Sequence, residues 1–84
     1  MNTEPEEIAP PAVRIEGRYA NAFQVGHNAF EFVVDFSQQY AGSLEAPTHT
    51  RIVTSPHFAK ALLETLRTSI AEYETEFGEI EDAG

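Results

Sequence analysis

Apolar residues recur along the chain with two different periods, and the change from one to the other outlines the fold. From Val13 to Val25 the odd positions read Val13, Ile15, Gly17, Tyr19, Asn21, Phe23 and Val25, and the even ones Arg14, Glu16, Arg18, Ala20, Ala22 and Gln24. A period of two marks a half-buried strand, and it continues to about residue 26, with Gly17 as a bulge or bend. Gly26-His27-Asn28-Ala29 reads as a turn, because Gly and Asn tolerate positive φ. A second strand covers about 29–37, with Phe30, Phe32, Val34 and Phe36 on one side and Glu31, Val33 and Asp35 on the other. Residues 37–47 are polar, with Gly42 and Pro47 as breakers, and a third strand covers about 48–54.

After residue 54 the period becomes helical. Ala59, Leu62, Leu63, Leu66, Ile70, Tyr73 and Phe77 are spaced by three and four. Ser55 can cap the first turn through its hydroxyl. Pro56 suits the first helical position, where no N–H is needed, and Gly78 provides the stop. The spacing predicts a helix over 56–77, about 33 Å long. Strands followed by one terminal helix predict an α+β domain: a three-stranded antiparallel sheet packed against the long C-terminal helix, with the phenylalanine side of strand two meeting the leucine stripe.

Eighty-four residues hold one domain, placed at 13–78. Residues 1–12, rich in Glu and Pro, and the acidic residues 79–84 lack the apolar content to offset ordering and are expected to be disordered. A helix of this length outruns a seven-residue strand of about 23 Å, so Tyr73 and Phe77 overhang the sheet. The second sheet side also carries small or apolar residues. Together these predict a homo-oligomer with Ala20, Ala22, Val33, Val53, Ile70, Tyr73 and Phe77 at its interface.

Charge excludes some partners. Fourteen acids stand against five bases, a formal net charge of −9. Six of the acids, Glu72, Glu74, Glu76, Glu79, Glu81 and Asp82, crowd the end of the helix with no base among them. Nucleic-acid affinity comes largely from Lys and Arg displacing counterions, so neither nucleic acid nor an anionic membrane is expected as a partner. A ribbon-helix-helix repressor needs a second helix after a short break, whereas this stripe is unbroken. The acidic start Met1-Asn2-Thr3-Glu4 does not read as a signal peptide. With no cysteine and no long apolar run, the chain is expected in the cytoplasm.

Candidate chemistry is sparse. The histidines are His27 in the turn, His49 opening strand three and His57 in the first helical turn. Antiparallel pairing puts His27 and His57 at one end of the sheet and His49 at the other, short of the three or four ligands of a zinc site. Ser55 with His57 lacks an oriented acid and an oxyanion loop, and the hydroxyl serves better as a cap. Glu31 and Asp35, about 13 Å apart on one strand, are too distant for a glycosidase pair, and Arg51 is the natural cross-strand partner of one of them. No phosphate-cradling glycine run occurs. Catalytic residues, metal and cofactor are therefore not expected.

Four blocks carry a resemblance. They are Tyr19-Ala20-Asn21; Glu31-Phe32-Val33-Val34-Asp35-Phe36; Arg51-Ile52-Val53-Thr54-Ser55-Pro56 with Ala59-Lys60 and Leu62-Leu63; and Tyr73-Glu74 with Phe77-Gly78 and Ile80. In this order the chain resembles a set of short, acidic bacterial proteins classed as a domain of unknown function, over about residues 18–80. The family pattern has a proline before the second strand where Asn28-Ala29 stand here. The resemblance implies this order of elements and an accessory, non-enzymatic role, and it brings no catalytic residues. A small antiparallel sheet with a terminal helix, acidity and self-association is also similar in architecture to the secretion chaperone SecB. The sequence therefore leads to a small oligomeric interaction or scaffold protein, with a chaperone-like binder of unfolded or exported polypeptides as the alternative.

Overall fold

The computed structural model describes residues 14–82. The segment 1–12, expected to be disordered, and residues 83–84 lie outside that range. The elements are β1 (Ala22–His27), β2 (Phe32–Ser37), β3 (Thr48–Thr54) and α1 (Pro56–Phe77). The strands form one antiparallel sheet in the order β1-β2-β3. The predicted α+β class, the limits of β3 and those of the helix all hold.

The first two strands are shorter than their alternation suggests. β1 begins at Ala22 rather than 13, because β2 offers it no partner beyond Ser37. The Asn21 N–H still donates to the Ser37 carbonyl (3.1 Å). The Asn21 side chain then ties off the ladder, donating to the Gln39 carbonyl (3.1 Å) and accepting from the Gln39 N–H (2.8 Å). Gly17 lies outside any strand, so there is no bulge there. The irregularity falls instead between β2 and β3, where Phe36 pairs with Thr50 and Ser37 with Thr48, leaving His49 as the extra residue.

The hairpin turn is built by a side chain rather than by positive φ. Gly26 pairs with Val33 inside the sheet, and among the described residues no non-glycine residue has positive φ. Asn28 Oδ1 accepts from the N–H groups of Phe30 (2.7 Å) and Glu31 (2.8 Å), while its own N–H donates to the Glu31 carbonyl (3.0 Å). This Asx turn occupies residues 28–31, so β2 starts at Phe32 and Phe30 is left in the loop, 80% exposed. Positive φ is used at Gly42 (82°), within a turn closed by Ser43 N–H to the Tyr40 carbonyl (3.0 Å).

Directly opposed residues of a ladder point to the same side. One sheet face therefore carries Phe23, Val25 and His27 from β1, Phe32, Val34 and Phe36 from β2, and Thr50, Ile52 and Thr54 from β3. The rings of Phe23 and Phe36 meet edge to face at 5.7 Å. The other face alternates Ala22, Gln24, Val33, Asp35, Arg51 and Val53.

The helix is capped as its ends predict. Ser55 Oγ accepts from the Phe58 N–H (3.2 Å), and the Ser55 carbonyl accepts from the Ala59 N–H (2.8 Å). At the other end Gly78, with φ 102°, donates its N–H to the Glu74 carbonyl (3.0 Å).

The packing of that helix corrects the sequence-based expectation. The leucine stripe does not lie on the phenylalanine side of the sheet. No residue of α1 is buried, its contact with the strands is slight, and no hydrophobic residue is buried anywhere among the described residues. The reason is the connection. Only Ser55 separates β3 from α1, and it is extended (φ −84°, ψ 161°), as a residue before proline is forced to be. A helix that returns over the sheet it has just left needs a reversing loop, and one extended residue cannot supply it.

Candidate functional site

Exposed apolar surface, rather than a pocket, is the main feature of the molecule. Leu62, Leu63, Leu66, Ile70 and Tyr73 are 40–54% exposed and Phe77 is 66% exposed. A helix confined to one domain buries such a stripe. On the sheet, Phe23 and Val25 of the apolar face are exposed, and Ile52 is half-exposed.

The residues expected at an oligomer interface fall into two separate sets. Val33 and Val53 are direct cross-strand partners, on the same face as Ala22, with half-buried Ala20 just ahead of the strand. Ile70, Tyr73 and Phe77 lie on the helix, and Tyr73 and Phe77 touch each other (ring centroids 4.9 Å apart). The structure does not bring the two sets together within one chain. The sequence places Leu62, Leu63 and Leu66 in a core against the sheet, and they are exposed. The run Thr54-Ser55-Pro56 carried the signal for this, because it leaves no residues for a reversal.

The polar groups are engaged in structure. Asp35 and Arg51 are direct partners between β2 and β3. The guanidinium donates through Nε to Oδ1 and through Nη2 to Oδ2, both at 2.8 Å. These hydrogen bonds hold the Asp35 carboxyl below the usual carboxylate range. Partial desolvation opposes the shift, and the Arg51 charge adds to it. Arg51 is pushed up in turn by the same bonds and charge. The expected cross-strand pair is thus present, with Asp35 rather than Glu31 as its acid.

The histidines sit at opposite ends of the sheet, as the pairing requires. His27 stacks on Phe32 (5.4 Å, 25°) and His57 meets Phe58 (5.2 Å, 69°). His49, at the bulge, bridges to the segment before β1. Its Nε2 is 3.0 Å from the Tyr19 carbonyl and its Nδ1 is 2.7 Å from Thr50 Oγ1. A carbonyl only accepts, so Nε2 carries a proton. Arg18 completes the tie by donating to the His49 carbonyl (3.2 Å). Arg18, His49 and Thr50, with Glu16, Ala20 and Phe36, line an open depression beside the bulge. Among the described residues no three His, Asp or Glu side chains gather closely enough to hold a metal ion. Among them, too, no helix is long and apolar enough to cross a membrane.

A family model described as "Protein of unknown function (DUF3467)" matches residues 2–82. The chain belongs to that family. The DUF3467 match spans every element of the fold, so the sheet, the one-residue link and the exposed helix all lie within the family's domain. No curated protein and no solved structure shows significant similarity to the chain.

Proposed function

We infer that this DUF3467 chain is a small, non-enzymatic interaction protein that acts as a homo-oligomer, in which neighbouring copies cover the apolar surface that each leaves open. One observation carries the reading: among the described residues no hydrophobic side chain is buried. Ordering a backbone costs about 1–2 kcal/mol per residue, and burial of apolar area is the main term that offsets it. A sheet and a 22-residue helix with no buried apolar residue do not meet that cost alone. The non-enzymatic part is supported by where the reactive groups are used. Ser55 caps a helix, Asp35 is tied to Arg51, and His49 holds a bulge. The lack of cysteine fits a reducing compartment such as the cytoplasm.

Multi-angle light scattering on the full chain at micromolar concentration tests this. A mass that is a multiple of 9.3 kDa is expected, and a 9.3 kDa species alone would overturn it. A second reading, a chaperone-like binder of unfolded or exported polypeptides, is favoured by one feature. The aromatics Tyr19, Phe23 and Phe30 are 62–80% exposed near the sheet, and contiguous apolar exposure is what such a binder needs. It requires that the assembled oligomer still bind a hydrophobic dye and suppress aggregation of an unfolded client. An assembly that does neither leaves the scaffold reading.

A further inference from the structure

We propose that two copies of this chain associate through α1 as an antiparallel helix pair, with the two-fold axis at Leu66. The proposal deepens the homo-oligomer reading and rests on it.

The stripe from Ala59 to Tyr73 is close to symmetric about its centre. Ala59 and Tyr73 are each seven residues from Leu66, and Leu63 and Ile70 stand three and four residues from it on one flank. A stripe with mirrored spacing fits its own reverse. In an antiparallel pair Leu66 meets Leu66, Leu63 comes beside Ile70, and the small Ala59 meets the large Tyr73. A parallel pair stacks Ala59 on Ala59 and Tyr73 on Tyr73, leaving a gap at one level and crowding at another, which close packing does not tolerate.

The charges select the same orientation. α1 has no acid in its first turn and no base in its last, the reverse of what the helix dipole favours. Three of its four acids, Glu72, Glu74 and Glu76, fall near the C-terminal end, with Glu64 nearer the middle. Side by side in a parallel pair, these acidic ends repel. Antiparallel, each lies against the N-terminal half of its partner, which carries Lys60. Lys60 and Glu74 lie on the same flank of the stripe, seven residues either side of Arg67. A two-fold axis at Leu66, one residue before that midpoint, therefore brings Lys60 of one copy to within about 3 Å along the helix of Glu74 of the other, twice. Among the described residues Lys60 has no ion-pair partner of its own. Arg67, near the axis, is 3.6 Å from its own Glu64.

The chain's own first 13 residues are a poor alternative cover. They offer Met1, Ile8 and Val13 as large apolar side chains, with three acids and no base, against an acidic helix end with a stripe about 33 Å long.

The chain has no cysteine, so introduced thiols report cleanly. Under oxidation a mixture of Ala59→Cys and Tyr73→Cys chains is expected to form the mixed disulfide, with little self-crosslinking of either variant alone. Self-crosslinking of each variant without the mixed product overturns the antiparallel arrangement and leaves self-association standing. A 9.3 kDa mass by light scattering overturns both. Because Tyr73→Cys can weaken assembly, a spin label at Thr75→Cys, away from the stripe, gives a second reading. Two labels about 35 Å apart are expected, from nine residues either side of the axis at 1.5 Å each and from outward faces on two helices each about 10 Å across, and a separation of about 20 Å contradicts the pair. Lys60→Glu and Glu74→Lys are each expected to weaken association about tenfold, with the double variant restoring it. Equal weakening by the single and double variants contradicts the contact.

Discussion

Thr54, the last residue of β3, and Pro56, the first of α1, are separated by Ser55 alone, held extended at ψ 161°. This short link sends the helix away from the sheet and exposes the leucine stripe. It leaves exposed what reads as a core face in the sequence.

Leu66→Ala distinguishes a covered stripe from a free one. Leu66 is 54% exposed in the single chain, where truncation removes little. At the centre of a buried pair the same change costs about 2–5 kcal/mol. The expected result is a lower melting temperature and a higher dissociation constant, both measured across a concentration series. Leu66→Asp is expected to give dissociated chains.

Ser55→Ala removes the hydroxyl that accepts from the Phe58 N–H. A loss of about 1 kcal/mol is expected from chemical denaturation, with Ser55→Gly retaining most of the stability. An unchanged midpoint in Ser55→Ala would show that the cap does not contribute.

Asn28→Ala deletes the acceptor of two backbone N–H groups, those of Phe30 and Glu31. A loss of about 1–2 kcal/mol is expected, with faster amide exchange at residues 30–33. Asn28→Gly is expected to be no rescue, since no positive φ is required there.

The Asp35–Arg51 pair gives a pH dependence of known sign. The folded-state pKa of Asp35 lies below its ordinary value of 3.8. The stabilisation is therefore complete above about pH 4 and is lost as pH falls through the folded-state value. Wild type should lose melting temperature on acidification through that window. Arg51→Met should show a flatter acid limb, and an identical slope in both would contradict the assignment.

The local signals in the sequence were easy to read where one residue type does one job. Ser55, Pro56 and Gly78 mark the helix ends, and the alternation of Phe32, Val34 and Phe36 marks the central strand. The alternation before Ala22 misled because a strand needs a partner as well as a pattern, and β2 stops at Ser37. Asn28 was recognised as a turn residue for the wrong reason: its side chain acts, not its φ. The proposed Lys60–Glu74 contact is not legible in the sequence, because spacing within one helix bears on a second copy only once the stripe is known to be exposed.

Sedimentation equilibrium of the full chain over a wide micromolar range tests most directly whether a second copy completes the fold. The expected result is a self-associating system above 9.3 kDa whose melting temperature rises with concentration. A 9.3 kDa species at every concentration, melting cooperatively at one temperature, would contradict it.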